Sequence, residues 1–231
     1  MTGSTRKLVI AIDGPAGAGK STIAARLARK FGYVNLESGA MYRVLALKAI
    51  ERDIAFDDES ALLDLATRSK IELQPRLDGN RVLLDGRDVS NRIRERDVTE
   101  AASKVSVHPR VREWMVARQR EMGEQGGIVM EGRDIGTKVF PNAEVKIFLE
   151  ADPGVRVERR MKQRQAAPEH VSSIAAELHE RDHRDSTRAT SPLVPAEDAV
   201  ILDSTHLSID DVVARAEELV KKALESQSSC R

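Results

Sequence analysis

One short run constrains this chain more than any other. Gly14-Pro15-Ala16-Gly17-Ala18-Gly19-Lys20-Ser21 fits G-x-x-x-x-G-K-[ST]. The apolar run at residues 8–12 leads into it, as a buried parallel strand would. The segment after it, from Ser21 to Lys30, carries a helical pattern. Glycines let the backbone curl so that several N–H groups face one anion, and the helix N-terminus adds partial positive charge. Lys20 is then placed to reach the β- and γ-phosphates of a nucleotide, and the Ser21 hydroxyl to help hold Mg²⁺. The competing reading, a glycine-rich strand-to-helix turn that binds nothing, is set aside because the full motif occurs with a strand before it and a helix after it. The motif predicts phosphate binding and leaves the reaction open.

Composition narrows the partners. The 231 residues allow one large domain or a core with small inserts. Lys+Arg and Asp+Glu are both 37, so no bulk charge draws the chain to nucleic acid or to an anionic membrane. No apolar run reaches the ~18 residues of a membrane span. The apolar stretch after Arg6 and Lys7 stops at Asp13, which makes it a better first strand than a signal peptide. A single Cys230 forms no internal disulfide and fits a reducing, cytoplasmic setting.

Strand-like runs at residues 8–12, 33–36, 128–130, 145–149 and 199–202 alternate with helical patterns. That alternation predicts an α/β fold with a parallel sheet. Helices are expected near residues 38–52, 97–105, 110–123, 153–165, 171–188 and 208–224, with a frayed end over 226–231. Residues 69–96 break the alternation. Ile71 and Leu73 alternate with polar residues, and Asp78-Gly79-Asn80 is a turn signal before Arg81-Val82-Leu83-Leu84, so a β-hairpin is expected. Gly86-Arg87-Asp88, an echo of Gly132-Arg133-Asp134, reads as a turn. The expected layout is a core of residues 6–68, 106–152 and 196–225, a hairpin-containing insert at 69–105, and a helical lid at 153–190.

The lid segment is rich in arginine. Arg156, Arg160 and Arg164 recur at i, i+4, i+8, and Arg181, Arg184 and Arg188 at i, i+3, i+7, each set marking one helical face. On a P-loop scaffold such a hairpin suits phosphoryl transfer, with guanidiniums binding phosphate oxygens and closure excluding water. The alternative is a solvated face laced with ion pairs to Glu158, Glu177, Glu180 and Asp185. A second anion site is expected from Arg43 and Arg133, both near the ends of strands. His179-Glu180-Arg181-Asp182-His183 matches the H-E-x-x-H zinc-protease pattern. That reading is set aside, because no third ligand follows and Arg181 and Arg184 place positive charge beside the metal position.

Assembled in order, these segments resemble the bacterial-type cytidylate kinases, a family of P-loop nucleoside monophosphate kinases. The resemblance spans residues 7–224. Its specific parts are Glu37-Ser38-Gly39-Ala40-Met41-Tyr42-Arg43, Glu131-Gly132-Arg133-Asp134-Ile135-Gly136-Thr137, Arg181-Asp182-His183-Arg184-Asp185 with Arg188, and Pro192-Leu193-Val194-Pro195. It implies a P-loop kinase core with parallel sheet, an acceptor-binding insert and an arginine-rich lid. The implied reaction is transfer of the ATP γ-phosphate to CMP or dCMP with Mg²⁺. By similarity, Gly14, Pro15, Ala16, Gly17, Ala18, Gly19, Lys20, Ser21, Thr22 and Arg160 hold ATP, and Ser21 holds the metal, with Asp13 or Glu131 reaching it through water. Ser38, Arg43 and Arg133 are the implied contacts to the acceptor's phosphate and sugar. Ser103, Arg112 and Asp134, with Arg188 close by, are the implied cytosine contacts, and Arg181 and Asp185 the ribose and lid contacts. Lys20, Arg133, Arg160 and Arg181 are the implied catalytic set. A cytoplasmic monomer that binds neither nucleic acid nor membrane is expected. Ala16 stands where many relatives have Ser and Ser21 where some have Gly, and neither change removes a backbone donor. Another P-loop kinase acting on UMP, AMP or a shikimate-like alcohol is the nearest alternative. A GTPase-like switch would need Asn-Lys-x-Asp, which is missing.

Overall fold

The computed structural model describes residues 7–76 and 79–229. Arg6, the turn position Asp78 and Cys230 lie outside the described residues. Five strands form one parallel sheet: β1 (Val9–Asp13), β2 (Val34–Glu37), β6 (Ile128–Glu131), β7 (Val145–Glu150) and β8 (Val200–Asp203), in the order β2-β6-β1-β7-β8. β1 is buried at every position, as an apolar strand covered on both faces must be. From β1 the chain goes first to β2 on one side, returns to β6 between them, and then crosses β1 to β7 and β8 on the other side. The loop leaving β1 therefore emerges at the switch point, where open α/β sheets bind ligands. That loop feeds α1 (Lys20–Phe31).

The two faces of the sheet carry separate apolar clusters. Leu8, Ile10 and Ile12 pack with α1 and with the long last helix α8 (Ile209–Ser229). Val9, Ala11 and Met130 pack against a π-helical turn at Ile135–Val139. A third cluster joins α2 (Ser38–Glu51), α3 (Glu59–Thr67), the hairpin strand β4 (Gly79–Leu84), α4 (Arg96–Val105) and α5 (Pro109–Gly123). In α2 ten of fourteen residues are buried, on every side of the helix, so it is the axis of this second unit. The hairpin segment thus shares one core with helices before and after it. α6 (Pro153–Arg164) and α7 (Val171–Thr187) form an antiparallel pair at the opening of the sheet edge.

Four details depart from the sequence expectations. Gly86-Arg87-Asp88 is not only a turn: Asp85 and Gly86 turn with positive φ, and Arg87–Asp88 forms a third antiparallel strand, β5, on β4. The hairpin's first strand, β3 (Ile71–Arg76), is as expected. α3 was unforeseen, although Asp58 caps it by accepting from Ala61 N–H at 2.9 Å. The π-helical turn also carried no sequence signal. α8 runs past residue 224 to Ser229, its terminal hydroxyls of Ser226, Ser228 and Ser229 bonding carbonyls four residues back.

The phosphate loop is locked onto β7. At Gly14, φ is +144°, and an added Cβ would stand 2.1 Å from the Leu149 carbonyl oxygen. Gly32, which ends α1, also has positive φ, but a Cβ there would meet nothing within 4 Å. Gly14→Ala is therefore expected to lose about 3 kcal/mol of stability or more, and Gly32→Ala only about 1 kcal/mol. Urea midpoints of the two variants check the contrast.

Candidate active site

The C-terminal edge of the sheet, the second unit around α2 and the α6–α7 pair enclose a cavity of about 610 Å³. Ten Lys and Arg side chains line it against four Asp and Glu, although the whole chain is neutral. This local excess is the signature of an anion site.

The phosphate loop forms one wall. Ala16, Gly17, Ala18, Gly19, Lys20, Ser21 and Thr22 line the cavity, whereas Gly14 and Pro15 do not. Gly14 serves the packing on Leu149, and the Pro15 carbonyl accepts from Lys20 Nζ at 2.7 Å. Burial, with Arg133 and then Arg181 nearby, pushes Lys20 down to about 7, despite Glu131 and Asp13. Burial, then Arg133, Arg43 and Arg160 nearby, push Arg181 down to about 9 despite Asp185, so it remains charged at neutral pH. Neither Arg181 Nε nor Arg160 Nε has a partner although both are buried. These cations repel one another and are relieved only when an anion enters.

The helix pair is fixed to that wall by residues without an assigned role. Arg156 donates to the Ala16 carbonyl at 3.2 Å and pairs with Asp182, which also accepts from Ala16 N–H. Arg159 donates to Ser204 Oγ and O, at 2.9 and 2.7 Å. The shared face of Arg156, Arg160 and Arg164 therefore splits into different jobs. Arg156 is a structural clamp, Arg160 faces the cavity, and Arg164 forms a two-pronged pair with Glu177 at 2.8 and 2.7 Å. Arg184 likewise pairs with Glu180. For these last two the ion-pair reading of the sequence is the right one.

The opposite wall gathers the expected acceptor residues. Ser38 Oγ donates to the Glu131 carbonyl at 2.7 Å. Arg43 pairs with Glu37, which Arg94 also approaches at 3.5 Å. Burial opposes the charge on Glu37, but Arg43 and Arg94 hold its carboxyl below the usual range. Arg133 Nε donates to Asp185 at 2.8 Å. Deeper in, Asp134 accepts from Arg112 Nη2 at 2.5 Å, with Arg188 Nη2 4.0 Å away. Arg112 also donates to the Ser106 carbonyl at 2.9 Å and lies over the Tyr42 ring at 5.4 Å. Three polar atoms in this corner are buried with no partner: Ser103 Oγ, Arg112 Nε and Arg188 Nη2. Unpaired buried donors are rare, and three together mark a place where a polar ligand fits.

Every cavity-facing residue expected from the sequence is thus gathered here. Glu37, Tyr42 and Arg94 were missed. Glu37 had a signal, since it ends a strand directly before Ser38. Arg94 had none, because the turn at Arg92–Arg94 is set by the packing of Ile93. For a divalent cation, Asp13 and Glu131 differ. Both Asp13 oxygens are taken by backbone N–H groups of Ile135 and Gly136. Glu131 Oε1 is buried without a partner, beside the Ser21 hydroxyl, and burial pushes this carboxyl upward. Ser21 and Glu131 fit Mg²⁺; Asp13 does not. His179 and His183 are exposed, and among the described residues no group of three or more His, Cys, Asp or Glu could hold a metal.

A phosphate loop at the switch point of a parallel sheet, with an arginine-bearing helix pair across the opening, defines a P-loop kinase. A solved structure of an uncharacterized protein from Eubacterium ventriosum shares the fold, with TM-score 0.52 at 14% identity, over 94% of this chain and 99% of that one. The cytidylate kinase family profile matches residues 10–222, and the chain belongs to that family. It is 46% identical to a cytidylate kinase from Pasteurella multocida, over 96% of this chain and 98% of the relative. With one from Geobacillus kaustophilus it shares 49% identity, over 95% and 99%.

Lys20 yields a test that needs no turnover. At about pH 8 a side chain of pKa near 7 is mostly neutral, and an approaching phosphate raises that pKa. Binding of MgATP is therefore expected to take up protons. Calorimetry in buffers of different ionisation enthalpy measures the uptake, and Lys20→Met is expected to abolish most of it.

Proposed function

We propose that this chain transfers the γ-phosphate of ATP to CMP or dCMP, giving ADP and CDP or dCDP. The observation that carries the acceptor assignment is the buried Asp134–Arg112 pair with unpartnered Ser103 Oγ, Arg112 Nε and Arg188 Nη2 around it. Cytosine presents an N4 amino donor and N3/O2 acceptors. A carboxylate at Asp134 accepts from N4, and guanidinium and hydroxyl donors meet the acceptor edge. Uracil carries O4 and N3–H instead, so the same groups would meet like with like and remain unpaired.

The remaining roles follow from charge and place. Residues 16–22 cradle the donor phosphates, with Gly14 and Pro15 shaping the loop behind them. Ser38, Arg43 and Arg133 take the acceptor phosphate, and Arg181 and Asp185 the sugar. Lys20, Arg133, Arg160 and Arg181 neutralise the transferring group. Mg²⁺ held at Ser21 and, through water, Glu131 would supply further charge neutralisation on the donor phosphates. The acceptor is already an anion, so no strong base is needed and catalysis is positioning plus electrostatics. Residues 69–105 act as the acceptor insert and residues 153–190 as the lid. One chain carries both nucleotide sites, so a monomer suffices. No helix among the described residues is long and apolar enough to cross a membrane, and we place the enzyme in the cytoplasm, with its nucleotides.

ADP formation from MgATP, with CMP, dCMP, UMP, AMP, GMP and shikimate supplied separately, tests the assignment. CMP and dCMP are expected well ahead, and equal rates for UMP or AMP would overturn it. Lys20→Ala is expected to lower kcat by on the order of 10²–10³-fold, since it removes a preorganised charge at the transferring group. Asp134→Ala is expected to raise KM for CMP far more than for ATP. It also strands buried Arg112, at a cost of about 3–5 kcal/mol in stability, so Asp134→Asn serves as the folded comparison.

A further inference from the structure

Asp13 is the last residue of β1 and immediately precedes the phosphate loop, yet it neither lines the cavity nor faces it with a free oxygen. Its side chain is 5% exposed. Oδ1 accepts from Ile135 N–H at 2.8 Å and Oδ2 from Gly136 N–H at 2.7 Å. These are the first two amides of the π-helical turn Ile135–Val139, and Asp134 is the residue that begins it. Such a turn leaves its first amides without partners inside the turn. Asp134 has backbone φ −149° and ψ 24°, outside the helical range, so the direction of its side chain depends on how the next two residues are held. The turn receives little other polar support from β1's side. The Gly132 amide bonds the Ile12 carbonyl at 2.9 Å, and Gly136 sits so close to Lys146 that its added Cβ would be 3.3 Å from Cδ.

We propose that Asp13 is the positioning residue for acceptor recognition: it clamps the Ile135 and Gly136 amides, and so holds Arg133 and Asp134 in register with the phosphate loop that begins one residue later. A carboxylate is required, because only a group with two acceptor oxygens satisfies both amides. An amide side chain offers one oxygen and would turn its own N–H₂ toward the second donor. The clamp also gives the two substrate sites one mechanical origin. The loop for the donor phosphates and the turn for the acceptor base leave from the ends of neighbouring strands β1 and β6, and Asp13 supplies the side-chain bonds between them. The inference rests on the reading of Arg133 and Asp134 as acceptor contacts.

The test compares kcat/KM for CMP and for UMP, and KM for ATP, in wild type, Asp13→Asn and Asp13→Ala. The alanine removes both acceptor oxygens and leaves the Ile135 and Gly136 amides, the backbone of Asp134 and the core around Ile135 chemically unchanged. Both variants are expected to lose about ten-fold or more of the CMP-over-UMP preference, the size of effect expected from misplaced base contacts. KM for ATP is expected to stay within about two-fold, since the phosphate loop's own amides are untouched. Circular dichroism and calorimetry establish that each variant is folded, and a merely structural defect would lower activity without moving the CMP-to-UMP ratio. Asp13→Asn retaining the wild-type ratio, or weakening ATP as much as CMP, would overturn the inference. A wild-type enzyme with no preference for CMP would instead overturn the reading of Asp134 on which it rests.

Discussion

The structure is organised around positive charge that it cannot neutralise by itself. Lys20, buried, and Arg133 and Arg181, half-buried, share one cavity, and desolvation and mutual repulsion push both Lys20 and Arg181 downward. Burying unpaired charge is expensive, so the fold must hold these groups by force of packing and by a few well-placed carboxylates. Asp185 takes Arg133, Asp134 takes Arg112 and Glu37 takes Arg43. What remains is a cavity that polyanions relieve. Substrate phosphates complete the electrostatics of the site, and the same complementarity neutralises the transferring group.

The geometry of the sheet explains how so many distant residues reach that cavity. All five parallel strands end in Asp or Glu at the same edge: Asp13, Glu37, Glu131, Glu150 and Asp203. Three of them serve different purposes within a few residues' span. Asp13 ties down a turn, Glu37 holds two arginines, and Glu131 keeps an unpartnered oxygen beside Ser21. Glu37 and Glu131 are register partners and Asp13 lies one position beyond them, so these chemically alike residues at one edge face different neighbours.

Much of this was legible in the sequence, for identifiable reasons. Strand-like runs of three to five residues marked all five core strands, most clearly β1, β6 and β7, which are buried along nearly their whole length. The phosphate loop was legible because its glycines and Lys-Ser pair are dictated locally. Which arginine does what was not legible. Helical spacing places Arg156, Arg160 and Arg164 together, but Arg156 is captured by Asp182 and Arg164 by Glu177, contacts that depend on where α7 lands. The π-helical turn was equally hidden, since its support comes from Asp13, more than a hundred residues earlier. Arg94 enters the cavity only because Ile93 packs into the core of the second unit.

The central claim is that one cavity holds the donor and the acceptor with their phosphates side by side. A conjugate of adenosine and cytidine joined through a polyphosphate bridge tests it most directly, by calorimetric titration against ATP and CMP alone. Binding of one conjugate per chain, at least about 100-fold tighter than either nucleotide, is the expected result, because linking two adjacent occupants removes most of the second one's entropic cost. A conjugate that binds no tighter than ATP, or binds at two independent places on the chain, would contradict it.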